Sequence, residues 1–196
     1  MRPLSGTTFG RRLHGLFVGA AVGLVIGGIV GGTLGRIYMR LIFLAKDDTL
    51  GLQTAMGATV GDFTRPGTFA IFVFGAIAGT PLGIAYVATR GLLPQALRWR
   101  TTLFVAGTTA FLIGQIARAN REDFTFVPIT LSLILTALAV ALTAIPIPAL
   151  IDRYTYDAAP ISPPPAWARV VVAAGMIGFF TYAVTGIAMA YAVQRV

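Results

Sequence analysis

Runs of apolar residues free of Asp, Glu, Lys and Arg recur along the chain at 13–35, 66–89, 101–117, 124–151 and 170–194. Crossing the hydrocarbon core of a bilayer takes about 20 such residues in a helix. Each run therefore predicts a transmembrane helix. The third run is short, and the fourth is long enough to cross with tilt. The expected fold is all-α, a polytopic transmembrane bundle of about five spans forming one integral membrane domain over residues 1–196. The first run follows Arg11 and Arg12 as the core of a signal peptide would. Its apolar stretch exceeds the roughly 7–15 residues of such a core, so it reads as a retained span.

Inside the first run the pattern is more specific. "HGLFVGAAVGLVIGGIVGGTLGR", residues 14–36, holds eight glycines, and six of them, Gly15, Gly19, Gly23, Gly27, Gly31 and Gly35, recur at a spacing of four. In water each glycine in a helix interior costs about 0.8–1.0 kcal/mol relative to alanine. In lipid an unsatisfied backbone costs several kcal/mol per group, so the propensity penalty does not unwind the segment. What the glycines provide is close approach of another backbone, the logic of a glycine zipper. The second run supplies a counterpart in "FGAIAGTPLGIAY", with Gly75, Gly79 and Gly83 again four apart and Pro81 between the last two. The simplest expectation is a tight antiparallel pair of the first two spans. Self-association, or docking to other membrane subunits through the same glycines, is the alternative use.

The connections differ in kind. Residues 36–66 form the longest and begin "RIYMRLIFLAK", which is expected to carry the first helix through the headgroup layer before the chain turns back. "AAPISPPPA" at 158–166 reads as an extended, semi-rigid strap. "DFTRP" at 62–66 and "DFTFVP" at 123–128 open the second and fourth runs. Each places Asp and Thr where side-chain oxygens cap a helix, with Pro in the first turn.

Composition sharpens the membrane reading. Hydrophobic residues make up 56% of the chain and charged residues only 11%, against about 25% charged in soluble domains. The net charge of +8 is almost wholly arginine. In a membrane protein such charge sets orientation and attracts anionic lipid, and no nucleic-acid partner is expected. With the N-terminus inside, eight arginines fall on inner segments and seven basic residues on outer ones, close to a tie. Trp99 and Trp167 share the inner face, and five of the seven acids fall on the outer one. The expected location is a bacterial inner membrane with a cytoplasmic N-terminus. In "RWR", Trp99 is expected to sit in the interface with Arg98 and Arg100 reaching for phosphates, and Trp167 is a second anchor.

Candidate chemistry is sparse. The absence of cysteine excludes thiol catalysis and disulfides. Within the five apolar runs His14 is the one ionisable side chain, and it lies at the expected inner boundary. Intramembrane charges mark proton relays and ion pathways, so their scarcity argues against a pump or proton-coupled transporter. Gln115 and the threonines of the spans are expected to bridge helices. No nucleophile–base pair, phosphate loop or metal motif stands out, and neither catalytic residues nor a cofactor are expected.

The stretches "DFTRPGTFAIFVFGAIAGTPLGIAYVATRGLLP" and "NREDFTFVPITLSLILTALAVALTAIPIPALIDR", with the glycine-rich first span ending in Met39–Arg40, resemble a loose group of small bacterial multi-pass membrane proteins. The resemblance covers residues 15–153 and implies a membrane location. It transfers neither an activity nor a site residue. The sequence-level expectation is a non-catalytic accessory or structural subunit of a larger membrane assembly, photosynthetic or respiratory. The alternative is a small transporter or channel.

Overall fold

A computed structural model describes residues 8–45, 64–119, 128–155 and 166–193. All of its regular elements are helical: α1 (Thr8–Ile26), a π-helical turn (Gly27–Gly31), α2 (Gly32–Ala45), α3 (Arg65–Thr89), α4 (Leu97–Ala119), α5 (Ile129–Ala144), α6 (Pro146–Tyr154) and α7 (Ala166–Val193). They compose five helices long and apolar enough to cross a membrane, Arg12–Ala45, Arg65–Thr89, Leu97–Ala119, Ile129–Tyr154 and Ala166–Ala192. Phe17, Phe69, Ile77, Val170, Ile177 and Val184 are among the many large apolar side chains left exposed. In a bilayer such side chains face lipid, which solvates them as well as a protein core would. The chain is a multi-pass, all-α membrane bundle.

The helices overrun the apolar runs at charged ends. The first span continues to Ala45 and carries Arg36 and Arg40 within it. At a rise of 1.5 Å per residue it is roughly 50 Å long, well beyond a hydrocarbon core of about 30 Å. The third span starts at Leu97 rather than 101, since the arginines of "RWR" occupy its first turn. The fourth passes through Ile145, where Ile145 N still donates to Ala141 O, into Pro146 and Pro148. Neither proline can donate to the preceding turn, so the helix divides there into α5 and α6.

Two helix pairs, bridged by the fourth span, make up the bundle. Antiparallel α1 and α3 form the closest pair, and α4 and α7, separated in sequence by one span, pack parallel. The α5–α6 span lies between them, touching α1, α2, α3 and α4. Its buried residues Ala144, Ile147 and Ile151 meet Tyr86, Leu93 and Phe104, with Val22 and Ile26 of α1 against them. A second cluster joins Ala117 to Ile129, Leu133 and Ala190 near the far end of α4.

The α1–α3 contact is backbone on backbone. A methyl group added to Gly19 would lie 2.7 Å from the Gly83 carbonyl oxygen, and one on Gly23 would overlap the Gly79 carbonyl. Gly27 meets Gly75 and Gly79 in the same way. The π turn follows at once, with Gly32 N–H reaching back five residues to Gly27 O. One extra residue per turn shifts the facing register, so Gly28 and Gly32, not Gly31, continue along α3 and meet Ala76 and Phe72. Gly31 instead faces Thr143 of α5 at 3.6 Å, while Gly35 and Gly15 meet the side chains of Ile71 and Val87. The even four-residue stripe is thus divided by the π turn. A straight α-helix would wind that stripe gradually off its partner, because four residues advance 400°.

Thr64 Oγ1 accepts from Gly67 N at 3.3 Å and caps α3, with Pro66 in its first turn. At the head of α5, Pro128 itself holds the cap position and no side chain caps it. Asp123 and Thr125, the expected cap there, lie outside the described residues, as do the 46–63 turn and the 156–165 part of the proline strap.

Candidate functional site: two interhelical polar clusters

The polar side chains that bond between helices gather near the two ends of the bundle. At the end where α1 begins, α3 finishes, α4 starts and α6 finishes. There Arg100 is only 7% exposed and forms an ion pair with Asp152, Nη1 to Oδ2, at 2.7 Å. The Tyr86 hydroxyl donates to the same oxygen at 2.9 Å. Arg100 Nε and Nη2 donate to the carbonyls of Pro94 and Gln95 at 3.2 and 2.5 Å. One guanidinium thereby ties α6, α3 and the α3–α4 turn together. Tyr86 is fully buried and rests edge-on against Phe104, ring centres 5.2 Å apart. The second Asp152 oxygen, Oδ1, is buried with no hydrogen-bond partner.

Beside this cluster, Arg90 Nη1 donates to Thr155 Oγ1 at 2.7 Å, and that hydroxyl donates to Ile151 O. Arg98, Trp99, Trp167 and Arg169 at the same end are exposed. Arg100 therefore parts company with its neighbour in "RWR". It was expected to reach outward with Arg98, yet it turns into the bundle, because residues 98 and 100 lie about 200° apart on a helix. His14 is exposed at this end.

Near the opposite end, Arg118 of α4 lies over the Tyr182 ring of α7, its guanidinium carbon 3.6 Å from the ring centre. Its Nη1 donates to Tyr182 O at 2.9 Å and its Nη2 donates to Thr185 Oγ1. The Tyr182 hydroxyl donates to Gln115 Oε1 at 2.8 Å. Gln115 thus bridges helices, whereas Thr33, Thr80 and Thr143 donate to the carbonyl four residues back in their own helix. Glycines open this second contact as well. A methyl on Gly114 would lie 2.5 Å from Tyr182 Cδ1, and one on Gly186 2.8 Å from Gly114 O. On the same side, Arg36 is buried and Nη2 donates to Thr64 O at 3.4 Å.

The seam glycines, the tryptophans, Arg98 and Arg100 were given packing or anchoring roles from sequence; Tyr86, Arg90, Asp152, Arg118 and Tyr182 were given no role between helices. Two signals were available. Tyr86 is a phenol in an apolar span, which needs a hydrogen-bond partner when buried. Asp152 is an acid directly after the fourth apolar run. Gly107 and Gly114 stand seven apart and do not form a stripe, so their role against α7 was invisible. Tyr182→Phe should remove the Gln115 bond and leave Arg118 on the ring. We expect a loss near 0.6 kcal/mol, the average for an interhelical hydrogen bond in lipid, read by thermal unfolding in detergent.

As to chemistry, these groups can hold helices together through charge-assisted hydrogen bonds. Among the described residues, no group of three or more His, Cys, Asp or Glu side chains could hold a metal ion. No protein-family model, curated protein or solved structure matches this chain.

Proposed function

We propose that the chain is a non-catalytic integral membrane protein, an accessory or structural subunit of a larger membrane complex of photosynthetic or respiratory type. In this reading it sits in a bacterial inner membrane with its N-terminus in the cytoplasm. One observation carries the reading: six polar side chains near the ends of the bundle bond across helix contacts and hold helices in fixed register. Arg100, Asp152 and Tyr86 join three helices, and Arg118, Gln115 and Tyr182 join two. Groups arranged in this way position helices.

A small transporter or channel is the second reading. Pro81 lies inside α3 between Gly79 and Gly83 and weakens the helix where it meets α1. Movement there would require α1 and α3 to part where their backbones touch.

Extraction of native membranes in mild detergent, through a C-terminal tag, separates the two. Stoichiometric co-purifying subunits, with or without pigment or haem absorption bands, are the expected result. A colourless protein purified alone, as monomer or homo-oligomer, would overturn the subunit reading. Solute flux in proteoliposomes would then test transport.

A further inference from the structure

We propose that Arg90, in the notch between the start of α1, the end of α3 and the end of α6, binds the phosphate headgroup of an anionic phospholipid. This inference requires only that the bundle sits in a membrane, and it is independent of the subunit reading.

The guanidinium is held in place without being neutralised by a described group. Its Nη1 is fixed by the Thr155 hydroxyl at 2.7 Å, a neutral partner. Its Nη2 lies beside α1, 3.8 Å from where a methyl on Gly15 would stand. Asp152, the carboxylate on the adjoining turn of α6, has its Oδ2 engaged by Arg100 and Tyr86. Arg90 is half-buried and keeps donors to offer. Exposed Arg12 stands three residues before Gly15, on the same side of α1. The notch is therefore flanked by a second positive charge on α1.

Depth and charge balance agree with this ligand. Trp99 and Trp167 are 55% and 59% exposed at this end, and exposed tryptophans settle at headgroup level. Among the described residues the one acid at this end is Asp152, already paired with Arg100, against Arg12, Arg90, Arg98, Arg153 and Arg169. Guanidinium and phosphate form paired, charge-assisted hydrogen bonds, and basic pockets between transmembrane helices favour anionic headgroups.

The test uses the full chain purified in mild detergent and follows thermal unfolding with added phosphatidylglycerol, phosphatidylcholine of the same acyl chains, or inorganic phosphate. Phosphatidylglycerol should raise the midpoint by about 5–10 °C at saturation, and the other two additives should leave it within error. Arg90→Gln should lose at least half of that shift, whatever its own starting midpoint. Arg40→Gln, at the opposite end, should keep it. If Arg90→Gln does not fold, Arg12→Gln on the exposed neighbour takes its place and should also lose a large part of the shift. An undiminished shift in these variants overturns the proposal. So does an equal response to the zwitterionic lipid. A full response to inorganic phosphate would assign the notch to a free anion and overturn the lipid.

Discussion

Gly23→Leu combined with Gly27→Leu should prevent the bundle from assembling. A side chain at either position begins inside the carbonyl groups of α3, at Gly79 for one and Gly75 for the other. The obstruction is backbone, so it cannot rotate away as a flexible side chain would. Overpacking a core costs about 1–3 kcal/mol where neighbours can shift, and more where they cannot. Here α1 and α3 would have to separate along much of their shared length. The companion substitution Gly175→Leu with Gly178→Leu is the control, because nothing lies within 4 Å of a methyl group at either site. Yield of monodisperse protein and its unfolding midpoint in detergent should collapse for the first pair and stay near the parent for the second. Equal behaviour of the two pairs would mean that the α1–α3 contact is not a packing seam.

The second large effect is expected at Asp152. Asp152→Asn leaves the Arg100 guanidinium, 7% exposed, without its carboxylate. Breaking one partner of a buried ion pair costs about 3–5 kcal/mol. The Asp152 side chain retains 24% exposure, so the lower end applies, about 3 kcal/mol after allowance for screening. For a chain of this size that corresponds to a fall of roughly 6–12 °C in the unfolding midpoint. Replacing both partners, Arg100→Met with Asp152→Leu, should recover much of the loss, because no uncompensated charge then remains. Arg98→Met, on the exposed neighbour, should change little. A single-site loss no larger than that of Arg98→Met would show that the pair adds little to holding α4 and α6 together.

The segments that the chain alone determined are those governed by local composition. Five spans follow from charge-free apolar runs, because in lipid a backbone that does not hydrogen-bond to itself is too costly to persist. The need for close backbone approach is likewise written in the spacing of Gly19, Gly23 and Gly27 against Gly75, Gly79 and Gly83. Helix ends were less legible. Arg36, Arg100 and Asp152 ended the apolar runs, yet the helices continue through them, since Arg100 and Asp152 pair with each other and Arg36 donates to Thr64 O.

Tertiary structure decided what depends on direction rather than on spacing. The π turn at Gly27–Gly31 advances the register by one residue, turning Gly31 toward Thr143 and bringing Gly32 to α3. A regular stripe of glycines contains no sign of that extra residue. Arg98 and Arg100 are alike in sequence, but their angular positions on α4 send one outward and the other to Asp152, fifty-two residues away. The pairing of α4 with α7 through Gly114, Tyr182 and Arg118 joins residues more than sixty apart, in helices whose apolar surfaces look alike from composition. Lipid solvates every apolar face almost equally, so hydrophobicity places the helices in the membrane but does not choose their neighbours. That choice falls to shape and to a few polar groups, which become legible only when the helices stand side by side.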